Sequence, residues 1–161
     1  VTVLELCTAA ATETKAVAAA LAALVRPGDL VLLEGEMGAG KTAFVQGFAA
    51  ALGVSDPVTS PTFTLHHEYD GRLTIHHLDV YRLEHLAETV DLALSEILDD
   101  GGVTVIEWGA AVLDALPADY LELRITFGDE PDDRRLAVRV VGASWAARWG
   151  RLGEALEVWR C

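Results

Sequence analysis

Hydrophobic positions along the chain follow two rhythms. The opening Val1–Cys7 is rich in β-branched and apolar residues and predicts a short strand. From about Thr12 to Val25 the period changes: Val17, Leu21, Leu24 and Val25 recur at helical spacing, and Pro27-Gly28 then turns the chain. Leu30–Leu33 is a continuous aliphatic run, which predicts a strand covered on both faces. Past a glycine-rich turn, Phe44, Val45, Phe48, Ala49 and Leu52 form a helical stripe that stops at Gly53.

Two strand-like segments follow, about Thr62–Tyr69 and Leu73–Val80. Asp70-Gly71 between them suits a tight hairpin, because both residues tolerate positive φ. A helical stretch, about Leu83–Leu98, leads through Gly101-Gly102 to a second buried strand, Val103–Ile106. Leu121, Leu123, Ile125 and Phe127 alternate with Glu122, Arg124 and Thr126, and Leu136, Val138 and Val140 repeat the pattern after a polar loop. These two strands predict a second hairpin. Ser144–Trp159 reads as one helix with Trp145, Trp149, Leu152, Leu156 and Trp159 on its core face, and with Arg148, Arg151 and Glu154 on its solvated side. Interleaved βαβ units and hairpins predict a three-layer α/β domain with a mixed sheet, spanning residues 1–161.

Composition narrows the classes. With 161 residues, 52% of them hydrophobic, the chain suits one globular core and not a disordered segment. No apolar run approaches the ~18 residues a membrane helix needs, and no basic start followed by an apolar stretch suggests a secretory signal. Cys7 and Cys161 lie near opposite ends without disulfide or zinc spacing. A packing role for Cys7 and a reducing, cytoplasmic compartment are therefore expected. Twelve basic against 25 acidic residues give a net charge of -13, so strong direct binding of nucleic acid by this chain alone is not expected.

The segment GEMGAGKT carries the chemistry: Gly35, Glu36, Met37, Gly38, Ala39, Gly40, Lys41 and Thr42 match G-x-x-x-x-G-K-[ST]. Glycines at the first, fourth and sixth places let successive N–H groups converge on phosphate oxygens. The following helix aims its unsatisfied N-terminal donors at the same phosphates. Lys41 is expected to bridge the β- and γ-phosphates, and the Thr42 hydroxyl to ligate Mg²⁺. A buried strand before the loop and an amphipathic helix after it supply the context that this motif requires, so the fold class expected is a P-loop NTPase. Guanine-specific members read the base with Asn-Lys-x-Asp, and a chain without asparagine lacks that motif; ATP is the nucleotide expected.

Magnesium held by one hydroxyl and phosphates needs a nearby carboxylate. Glu107, ending the Val-Thr-Val-Ile run, and Asp79, inside HLDVYRL, both sit at strand ends where that acid belongs. A glutamate there can hold a metal-bound water or act as general base. Ser60-Pro61-Thr62 is, taken alone, a common turn. The paired histidines His66-His67 and His76-His77 lie on two strands, where neighbours face opposite sides, so one from each strand can pair but four cannot converge on a metal.

Taken together, LEGEMGAGKTAFVQGFAAALG, SPTFTLHHEY, HLDVYRL and IEW in this order resemble the TsaE family, from about Thr14 to Gly142. These are bacterial ATPases needed to make threonylcarbamoyladenosine (t6A) in tRNA. The resemblance implies that Thr62 is a switch threonine near the γ-phosphate and that Asp79 and Glu107 stand around Mg²⁺ and its waters. It also implies that Trp108 flanks the nucleotide, that Thr14 contacts it, and that Arg134 or Arg135 lies close by. Met37 stands where relatives often have leucine and Ala43 where many have a second threonine. The partners implied are TsaD, which carries the transfer chemistry, and TsaB; no membrane association and a free monomer are expected. Two rival readings remain on the sequence: a small-molecule P-loop kinase, which needs an acceptor pocket and an arginine-bearing lid, and a non-catalytic module whose shape ATP sets.

Overall fold

The computed structural model describes residues 3–61, 66–80, 94–107 and 116–161. In chain order the elements are β1 (Val3–Thr8), α1 (Ala11–Ala22), β2 (Leu30–Gly35), α2 (Lys41–Ala51), β3 (His66–Tyr69) and β4 (Ile75–Asp79). They continue with β5 (Val103–Glu107), β6 (Tyr120–Phe127), β7 (Arg134–Val141), α3 (Ala143–Ala146), α4 (Trp149–Leu156) and a 3₁₀ turn, Glu157–Trp159. The strands form one seven-stranded sheet in the order β1-β7-β6-β2-β5-β4-β3. Its centre is parallel, with β2 between β6 and β5 and β4 beyond β5, while β1, β7 and β3 pair antiparallel with their neighbours.

The parallel centre is buried because its strands are apolar on both sides. Val31, Leu33, Ile75, Val103 and Val105 pack with Val17 and Leu21 of α1 and Phe44 and Phe48 of α2. Leu30, Leu32, Leu78 and Ile106 cluster on the other face with Leu94, which belongs to a helical stretch at 94–98. This is the three-layer α/β arrangement that the hydrophobic pattern predicts. Of the helix expected over Leu83–Leu98, the part before Leu94 lies outside the described residues, as does the Thr62–Leu65 start of the first hairpin strand. Among the described residues, no helix is long and apolar enough to cross a membrane.

Several expectations need correction. The first hairpin is not a tight Asp-Gly turn, since Tyr69 pairs with Ile75 and residues 70–74 form a wider loop. Gly71 is needed there for a close approach: a Cβ would fall 2.4 Å from the Leu52 carbonyl oxygen at the end of α2. Phe127 does not continue the buried face of β6; it is 48% exposed beneath the Arg134 guanidinium.

The last helix is broken into α3, α4 and the 3₁₀ turn, and Arg148 at the break is not solvated but 2% exposed. Its guanidinium donates to Asp29 Oδ2 at 2.6 Å and Oδ1 at 2.9 Å, and to the Leu24 carbonyl at 3.0 Å. It also lies 3.8 Å from the Trp145 ring centroid. Helical periodicity put Arg148 outside, but a fully satisfied fork of donors makes its burial tolerable. Arg148→Met should lower the unfolding free energy by about 3 kcal/mol, the lower end for breaking a buried pair. The reason is that Asp29 would keep the Arg26 N–H at 2.7 Å. Chemical denaturation checks this, and a change near zero would contradict it.

Cys7 and Cys161 form a disulfide, with Cα atoms 5.2 Å apart across a sequence separation of 154. The C-terminal tail lies along edge strand β1, where Leu6 bridges Arg160 and Cys161 N–H donates to the Glu5 carbonyl at 3.2 Å. Spacing misleads here because strand pairing, rather than chain proximity, brings the two thiols together. The pairing corrects the packing role expected for Cys7 and removes the argument from cysteine usage for a reducing compartment.

Candidate functional site

Because β2, β4 and β5 run parallel, their C-terminal ends open on one edge of the sheet, where ligands of α/β folds are bound. The loop from Gly35 to Gly40 leaves β2 at this edge. Gly38 and Gly40 have φ of 83° and 113°, a region closed to most residues with a Cβ. A Cβ at Gly35 would meet the Ile125 carbonyl oxygen at 2.7 Å, so the base of the loop lies directly against β6. Gly40 is the N-cap of α2 and offers no side-chain cap, which leaves the first-turn amides to an external acceptor.

Lys41, the first residue of α2, is 9% exposed and folds its ammonium back over the loop. Nζ donates to the Gly35 carbonyl and lies 3.5 Å from that of Glu36. Burial holds its pKa below the usual lysine value, opposed by the charges of Glu107 and Asp79. These two carboxylates end β5 and β4 as register partners, 3% and 5% exposed. Leu33, two residues before the loop, pairs with Glu107 on the other side. Glu107 Oε1 is sealed from solvent and has no hydrogen bond among the described residues. A buried carboxylate oxygen in that condition is costly unless a cation or donor meets it. Together with the half-buried Thr42, the donor set is all oxygen and suits a hard divalent ion.

The remaining expected residues divide. Arg134, first in β7, donates through Nε to the Ala39 carbonyl at 2.9 Å and reaches the Gly38 carbonyl at 3.4 Å. Arg135 is exposed and turns toward Asp129 at 3.8 Å, so of the two arginines it is Arg134 that reaches the loop. Thr14 is 2% exposed, shares a 3.0 Å hydrogen bond with Thr8, and lines a cavity of about 70 Å³ with Ala39, Gly40 and Arg134. Met37 stands 89% exposed at the loop's apex. Thr62 and Trp108 lie outside the described residues.

Strand parity sorts the histidines. His66 Nε2 and His76 Nδ1 are 3.1 Å apart, and His76 Nε2 is 2.7 Å from Asp100 Oδ2, on the face shared with Leu78. Burial, with His76 adding to it, lowers the His66 pKa. Among the described residues no three His, Cys, Asp or Glu side chains gather as a metal site. His77 shares the other face with Asp79 and is fully buried, its Nε2 3.3 Å from Glu107 Oε1. The sequence suggests sheet-surface or interface positions for the paired histidines, but His76 and His77 are 4% and 0% exposed, and strand pairing alone gives His77 no site role. The signal available was its spacing of two from Asp79, which sets both on one side of β4.

Strand, glycine loop and helix at the open edge of a mixed parallel-centred sheet define a P-loop NTPase fold. A sequence model described as "Threonylcarbamoyl adenosine biosynthesis protein TsaE" matches residues 8–136. The tRNA threonylcarbamoyladenosine biosynthesis protein TsaE of Bacillus subtilis is 44% identical over 131 residues, covering 81% of each chain. Its namesake from Streptomyces coelicolor is 44% identical over 133 residues, covering 78% of this chain and 89% of the relative. The crystal structure of YdiB from Bacillus subtilis superposes with a TM-score of 0.80 at 37% identity, covering 98% of this chain and 95% of that one. The chain belongs to the TsaE family, which takes part in t6A biosynthesis.

Proposed function

We propose that this protein is a Mg²⁺-dependent ATPase of t6A formation that acts, as a single-domain protein, on an assembly of TsaD and TsaB. The observation that carries the reading is the pairing of two buried carboxylates, Asp79 and Glu107, at neighbouring strand ends within electrostatic reach of Lys41 in a glycine loop. In this reading the loop amides and Lys41 hold the β- and γ-phosphates, and Thr42, Asp79 and Glu107 hold the metal and its waters. Bound magnesium would offset charge on the phosphates. Glu107, the more sealed of the two acids, aligns a water for attack, and the Arg134 guanidinium keeps the loop's curvature by holding two of its carbonyls. No guanine-reading motif is available without asparagine, which favours ATP.

Net charge supports an indirect role toward tRNA. A net charge of -13 repels a polyanion overall, which fits action on proteins that hold the tRNA better than action on the tRNA itself. The test is nucleoside analysis of tRNA after depletion of the protein in its host. Wild type should restore t6A and Glu107→Ala should leave it near the depleted level; equal restoration would overturn the reading. In parallel, phosphate release should rise when TsaD and TsaB are added, and no rise would favour a module that ATP gates without turnover.

A further inference from the structure

His77 occupies an unusual position for an imidazole. It sits mid-strand on β4, flanked in register by His67 of β3 and Val105 of β5, and is 0% exposed. Among the described residues neither ring nitrogen has a hydrogen bond, and neither does the facing Glu107 Oε1, although Nε2 and Oε1 are 3.3 Å apart. Two buried polar groups left like this are destabilising unless something meets them. Such pairs persist where the alignment tightens only with substrate in place, as apo hydrogen bonds at active sites commonly do.

We propose that His77 is a positioning residue for Glu107: its Nε2–H steers carboxylate oxygen Oε1 and thereby fixes how the other oxygen meets the reacting water. This rests on the ATPase reading above. Parity supports the assignment, since His77 and Asp79 share one face of β4, and Glu107 lies diagonally across on β5. The three side chains form a buried row along the open edge of the sheet, in which His77 is the one group able to donate a hydrogen bond to a carboxylate. Partners of this kind, one step behind a catalytic or metal-bound group, govern its orientation.

Three measurements test the proposal. In the free wild-type protein, imidazole ¹⁵N shifts should place a proton on His77 Nε2; a proton on Nδ1 alone would set a lone pair against Glu107 and overturn it. His77→Leu should lower kcat for ATP hydrolysis about 10- to 100-fold with KM for ATP within about threefold of wild type. His77→Gln, whose amide can restore a donor, should recover most of that loss. Equal kcat for Leu and Gln variants, or a loss confined to KM, would overturn the proposal. Lys41→Ala separates the two levels: if it hydrolyses ATP normally the ATPase reading itself falls, whereas if it is inactive while His77→Leu is not, only the positioning role falls.

Discussion

Lys41→Ala should bind ATP at least ~100-fold more weakly than wild type and release no measurable phosphate, while keeping its fold. One charge-assisted contact to phosphate in a shielded site is worth about 3 kcal/mol, which is roughly that factor. The bonds its ammonium makes to the Gly35 and Glu36 carbonyls lie within its own loop, so their loss is local. Its lowered pKa fixes the sign of the stability change. A lysine whose folded pKa lies below its unfolded value costs stability while protonated, and the cost vanishes as pH rises toward the unfolded value. Lys41→Ala should therefore match or exceed wild-type stability near neutrality, with the difference closing at alkaline pH. Calorimetric ATP titration and denaturant curves at two pH values check both halves, and unchanged affinity would contradict the account of the loop.

The second large effect is on stability. Reducing the Cys7–Cys161 bond frees a closure spanning 154 residues, for which loop entropy alone gives about 5 kcal/mol. For a chain of this length that corresponds to a Tm lower by about 10 °C or more. Cys7→Ser should match the reduced wild type and ignore added reductant. The tail would then leave β1, uncovering an edge strand. Superimposable melts with and without reductant would contradict this.

What the sequence revealed and what it hid follow from the range of the forces involved. The glycine loop was legible because its conformation is local: Gly38 and Gly40 adopt positive φ within a few residues of Lys41. Asp79 and Glu107 could be seen as strand-end acids, since alternating and aliphatic runs mark where strands stop. Their adjacency depends on β4 and β5 lying side by side, which pattern alone does not fix. His77 was hidden among four similar histidines, and only parity relative to Asp79 distinguishes it. Arg148 was misread because periodicity assigns a charge to the outside, whereas Asp29, 119 residues away, gives it a reason to be inside. The disulfide is the extreme case, a contact between chain ends that no local rule anticipates.

A crystal grown with Mg²⁺ and a non-hydrolysable ATP analogue tests the central claim most directly. The triphosphate should lie on the amides of Gly35–Thr42, with Lys41 turned from the loop carbonyls onto it and the ion between Thr42 and the carboxylates of Asp79 and Glu107. A nucleotide bound elsewhere, or an ion that neither acid approaches, would contradict it.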